Sequence, residues 1–130
     1  MSFFGKFFNN KSIVDGTHSH KVESKPATVV QLDVDVWQTN DSIFIYALVP
    51  GSASEDVNIS IEGDADIVRI EGKRLRPKPG AKASRGHLTT EECVWGEFYR
   101  RIILPAPVDI NSADASVENG LLILQLPFAK

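Results

Sequence analysis

The sequence has a single cysteine, a single methionine and almost no charge imbalance, and each shortage narrows the field. With Cys93 alone, no internal disulfide can form, and a reducing cytoplasm is the expected compartment. Fourteen basic residues against seventeen acidic ones leave a net charge of -3, which argues against a dedicated nucleic-acid binder. No apolar run approaches the roughly 18 residues a membrane helix needs, so no membrane partner is expected. The opening MSFFGKFFNNK is too short and too interrupted for a signal-peptide core. Glycine-rich phosphate loops are absent, so nothing points to ATP hydrolysis. Helical periodicity is missing beyond the first eleven residues.

What is present is alternation. The chain of 130 residues is 42% hydrophobic, enough for one domain with a flexible arm and a core needing neither metal nor disulfide. In LDVDVW, Leu32, Val34 and Val36 face one way while Asp33, Asp35 and Trp37 face the other. SIFIYALV is apolar on both faces and predicts a strand covered on both sides. VNISIEG buries Val57, Ile59 and Ile61, and DIVRIEGK turns Val68 and Ile70 inward. GEFYRRIILP, a brief ASVE and GLLILQLP complete the set, the last with Leu122, Leu124 and Leu126 in the core and Leu121 and Ile123 outward. Turn signals separate these runs, the clearest being Asn119-Gly120. Seven or so short strands predict an all-β, immunoglobulin-like antiparallel β-sandwich over residues 30–127. A flexible N-terminal arm with a Phe-rich start precedes it over 1–29, and a residual tail, 128–130, follows. Residues 75–90, rich in Gly, Pro and Lys/Arg, form a loop long enough to be functional or disordered.

One strand poses a problem. Alternation in GEFYRRIILP puts Arg100 on the same face as Phe98, Ile102 and Leu104. An unpaired guanidinium on an apolar face costs several kcal/mol, about 3–5 by analogy with a broken buried ion pair. Arg100 must either lead its charge to solvent along its stem or meet a carboxylate.

Other residues invite chemistry and are more simply read without it. His18, His20 and Glu23 have no third firm ligand and read as a solvated tract. Asp33 and Asp35 keep an edge strand soluble rather than forming a catalytic pair. Cys93 and His87 lie in the loop with nothing to orient a nucleophile, although a redox role for the thiol stays open. Lys73, Arg74, Arg76, Lys78, Lys82 and Arg85 run without an intervening acid but lack an aromatic platform for nucleic acid. No enzyme, cofactor or metal is predicted.

Five stretches in order resemble the α-crystallin domain of the small heat-shock proteins: DVDVW (33–37), ALVPG (47–51), IEGKR (70–74), GEFYRRIILPAPVD (96–109) and ASVENGLLILQLP (115–127). The resemblance implies an ATP-independent holdase that binds unfolding client proteins and keeps them from aggregating. In bacterial and plant members the long loop carries a strand that crosses to a neighbouring subunit, with a glutamate shortly before the Gly-x-Phe-x-Arg run. Here that glutamate is Glu92, and Cys93 stands where the family has an arginine. The resemblance therefore suggests that Arg100 pairs with Glu92 or Glu91 of a second copy. Asp33 and Val34 of the edge strand, and Trp95 beside the loop, would complete a homodimer interface, possible nucleus of a small oligomer.

The sticky surfaces follow the same resemblance. Phe3, Phe4, Phe7 and Phe8 fall on one side of a short helix, which either docks on its own assembly or captures clients. Leu121 and Ile123 give a second client-binding place beside the last strand. There the family has a groove for an Ile-x-Ile motif from a neighbour's C-terminal extension. This chain has only three residues after Pro127, so the groove is expected to be open to the arm, through Ile13-Val14. The alternative function is a β-sandwich adaptor or co-chaperone binding one defined folded partner.

Overall fold

Three rows of cross-strand pairs organise one half of the interior: Ile43 opposite Leu126, Ile45 opposite Leu124, and Ala47 opposite Leu122. All six are buried. They belong to β4 (Ser42–Leu48) and β9 (Leu121–Pro127), whose β-branched, aromatic and leucine side chains suit a pleated surface. The other half comes from β5 (Val57–Glu62) and β6 (Ile67–Arg74), where Ile59 opposes Ile70 and Ile61 opposes Val68. The computed structural model describes residues 29–82 and 85–130 together with the backbone of 13–15. Phe3, Phe4, Phe7, Phe8, His18, His20 and Glu23 lie outside the described residues.

The remaining strands are β1 (Ile13–Asp15), β2 (Val30–Gln31), β3 (Val34–Gln38), β7 (Gly96–Ile103) and β8 (Asp114–Glu118). They assemble into a five-stranded sheet, β1-β5-β6-β7-β2, and a four-stranded sheet, β3-β4-β9-β8. The predicted all-β sandwich is therefore the fold. Among the described residues there is no α-helix, and 3₁₀ turns lie at Ser54–Asp56 and Ile110–Ser112.

Two features depart from the sequence reading. Ile13–Asp15, read as part of a patternless arm, is a strand on the edge of β5, running parallel to it. It lies on the five-stranded sheet, so Ile13-Val14 is not beside β9 as expected. Short parallel pairing also joins β2 to β7, which makes the five-stranded sheet antiparallel only in its centre, while the four-stranded sheet is antiparallel throughout. Neither pairing was legible, because two- and three-residue strands carry too few side chains to show a period.

Turns appear where the sequence signalled them. Asn119 and Gly120 both have positive φ, 55° and 76°, the conformation a two-residue hairpin requires. A Cβ on Gly120 would also stand 3.0 Å from the Pro50 Cα, so this turn abuts the β4–β5 connection. Past the last strand, Phe128 donates its N–H to the Asp41 carbonyl and Ala129 donates to that of Pro107, which holds the end of the chain against the body.

Candidate interaction surfaces

Arg100 sits where the alternation put it, directly opposite Ile70 on the inner face of the five-stranded sheet. The half-buried guanidinium donates through Nη1 to the Leu32 carbonyl at 2.8 Å. Leu32, itself buried, donates its N–H to the Tyr99 carbonyl. The arginine thus ties the β2–β3 link to β7. Among the described residues it makes no ion pair, and within one chain Glu92 is not its partner. A guanidinium has five N–H donors in a planar fork, so a single carbonyl leaves it able to take a carboxylate as well.

The loop between β6 and β7 is exposed from Leu75 to Val94 wherever it is described, and it contains no strand. Its base is closed by Arg76, whose Nη2 lies 2.6 Å from Glu91 Oε2 and whose Cζ lies 5.9 Å from the centre of the Trp95 ring. Glu91 and Trp95, both expected at an interface, are therefore engaged within the chain. Glu92, Cys93 and Val94 are exposed. Arg74, one of the six basic residues in the uninterrupted run, donates through Nε to the Pro50 carbonyl at 2.6 Å. It also stacks 5.3 Å from the Phe98 ring centre. The run is thus partly structural, which the sequence alone could not distinguish from a solvated patch.

Beside the loop's expected landing place, β3 forms one edge of the four-stranded sheet. Asp33 is exposed and Val34 half-buried. Val36 shares the inner-face row of Ile45 yet is 47% exposed, because no strand among the described residues lies outside it. An edge of this kind presents unpaired N–H and C=O groups to a second chain.

The outer face of the same sheet is the surface that sequence reading underrated. SIFIYALV was expected to be covered on both sides. Its inner side is fully covered and its outer side only in part: Phe44 and Tyr46 are half-buried, and Leu48 is 64% exposed. Register puts Tyr46 opposite Ile123 and Leu48 opposite Leu121, so the two outward residues of β9 join those of β4. Trp37, 54% exposed, extends the patch by packing on Tyr46 with ring centres 5.1 Å apart. The signal was an eight-residue run apolar on both faces. It was legible, but two coverings produce the same pattern. The opposite face of the molecule is polar: Arg69 bridges Glu62 at 2.7 Å and Glu71 at 3.2 Å and lies over Tyr99.

Among the described residues no group of three His, Cys, Asp or Glu side chains is placed to hold a metal ion. Cys93 and His87 are both exposed. No described helix is long and apolar enough to cross a membrane. Two stacked sheets with this strand order define a β-sandwich of the α-crystallin type.

Comparison with known proteins agrees. The model of the Hsp20/alpha crystallin family matches residues 35–130. A 23.2 kDa heat shock protein of Oryza sativa subsp. japonica is 34% identical over 93 residues, 71% of this chain and 43% of the relative. Among solved structures, heat shock protein 16.0 of Schizosaccharomyces pombe has the same fold, with a TM-score of 0.68 at 23% identity over 97% of this chain and 83% of that one. A small heat-shock protein of Xylella fastidiosa superposes with a TM-score of 0.59 at 26% identity over 76% and 86% of the two chains. The chain belongs to the Hsp20/α-crystallin family of small heat-shock proteins. It spans about half the length of the first curated relatives it matches, 43% and 48%.

Proposed function

We propose that this protein is an ATP-independent holdase of the cytoplasm, which binds apolar segments of unfolding proteins and keeps them from aggregating. Family membership carries the reading. The apolar face on which half-buried Leu121 and Ile123 lie beside exposed Leu48 supports it, since contiguous apolar surface generally marks an interaction site. Phe3, Phe4, Phe7 and Phe8 supply a second client-binding element. Heat shifts the population toward states in which these surfaces are free, and clients then compete for them.

The working unit is a homodimer formed by exchange of the β6–β7 loop onto the β3 edge of a second copy, with Asp33 and Val34 in the interface. Glu92 of the partner subunit meets the guanidinium of Arg100, whose bond to the Leu32 carbonyl aims it toward the β3 side of the sandwich. Trp95 and Glu91 hold the loop's base through Arg76.

Two measurements test this reading. A heated test enzyme is followed by light scattering with and without the protein, and scattering that rises equally in both sinks the holdase. Native mass of the Glu92→Lys variant tests the dimer: charge reversal opposite Arg100 should shift the population to monomer, and an undiminished dimer rules the pairing out. Serine at Phe3, Phe4, Phe7 and Phe8 separates holdase from adaptor, because only the holdase should lose protection of its clients.

A further inference from the structure

The four strands β3, β4, β9 and β8 carry no lysine or arginine at all. Their outward residues fall into three rows set by register. Trp37 and Phe44 lead to Gln125 and Asp114; Asp35 precedes Tyr46, Ile123 and the small buried Ser116; Leu48 and Leu121 lead to Glu118. Apart from Gln125, apolar and aromatic side chains occupy the two central strands, and a carboxylate stands at one end of every row. Asp35 and Glu118 are exposed, Asp114 is half-buried, and none makes an ion pair with another described residue. Basic side chains of the sheets are confined to the other layer, on β6 and β7.

We propose that this face is a docking site for one chemical class of polypeptide: a short apolar segment flanked by lysine or arginine. This inference deepens the holdase reading by naming the class of client its sheet face selects. The apolar strip spans Phe44 to Leu48, five residues and four rises of strand, thus roughly 14 Å, the length of about five extended residues. Both β4 and β9 already have strand neighbours on each side, so no backbone ladder is available to the occupant. Recognition must come from side chains packing on the strip and from charge at its margins. Cations at the ends of the segment meet the rim of carboxylates, while an acidic flank meets only like charge. Such exposed pairs act weakly one by one and fade with salt, so the selectivity is a summed, screened effect.

The test uses the full chain with Trp95→Phe, which leaves Trp37 as the one tryptophan, on the strip itself. Two nine-residue peptides share an apolar centre and differ only in two lysines or two glutamates at each end. Titration followed by Trp37 fluorescence should show the lysine peptide binding about tenfold more tightly at 50 mM salt, roughly two to three surface ion pairs' worth. The preference should fall below about twofold at 500 mM salt, and likewise in an Asp35→Asn, Asp114→Asn, Glu118→Gln variant. Equal affinities at low salt, or a preference that survives in the triple variant, overturn the proposal. So does a Trp37 that is shielded from acrylamide and silent to both peptides, since the face is then covered by the chain's own arm or a second copy. Protection of a heated enzyme by a protein that does not discriminate between the peptides refutes this inference alone. Loss of that protection in the wild type refutes the holdase reading instead.

Discussion

Replacing Gly72 by alanine should destabilise the sandwich, and the size of the effect can be worked from three distances. An alanine Cβ would stand 2.5 Å from Phe98 Cζ, 2.6 Å from Cε1 and 2.8 Å from the Asp56 carbonyl oxygen. Ordinary contact begins near 3.4 Å, so two neighbours must move by most of an ångström. Phe98 is directly opposite on β7 and buried, with Arg74 stacked on its ring, so it has little room to retreat. The Asp56 oxygen belongs to the backbone at the start of β5 and cannot change rotamer. Overpacking of this kind costs about 1–3 kcal/mol. Against it, loss of glycine's freedom in the unfolded chain returns about 0.4–1 kcal/mol. A net loss of about 1–2 kcal/mol lowers Tm by roughly 5–15 °C for a domain near 100 residues. Thermal unfolding followed by circular dichroism reads this directly. A companion double variant, Gly72→Ala with Phe98→Leu, should recover part of the loss but not all, because the carbonyl clash stays. A Gly72→Ala protein melting within about 2 °C of wild type would show that the packing against Phe98 is not what demands glycine here.

Two further outcomes follow from particular contacts. Arg100→Met should keep the apolar stem but lose the charged bond to Leu32, costing about 1.5–3 kcal/mol in urea unfolding; an unchanged midpoint would mean water replaces the guanidinium freely. Gly120→Ala forces a Cβ into the left-handed region and against Pro50, so roughly 1–2 kcal/mol should be lost, whereas Asn119→Gly, which keeps the turn's geometry, should be nearly neutral in the same assay.

Periodicity alone exposed the body of this protein. The residues expected to be inside, Val57, Ile59, Ile61, Val68, Ile70, Leu122, Leu124 and Leu126, are buried, because a period of two leaves each side chain only one face to choose. The ordered motifs located the family, and they do so for structural reasons: Gly72 admits Phe98, Arg74 caps the Pro50 turn, and Asn119-Gly120 makes the tight hairpin. The anomaly of Arg100 on an apolar face was equally legible, but its solution within the chain was not. The acceptor is the Leu32 carbonyl, 68 residues away, and a backbone oxygen leaves no mark on composition or pattern.

Surfaces were harder still. Whether SIFIYALV is covered on one side or two depends on which elements pack against β4, and the two cases share one sequence pattern. Glu91, a candidate to meet a second copy, is brought within its own chain to Arg76 by the close approach of the β6 and β7 ends, a pairing that no local pattern signals. Local alternation decided which residues are strands and which side faces inward. Only the stacking of the two sheets decided which faces stay open, which edges are already occupied and which charges have found partners, because those depend on contacts between segments too far apart in the chain to signal one another.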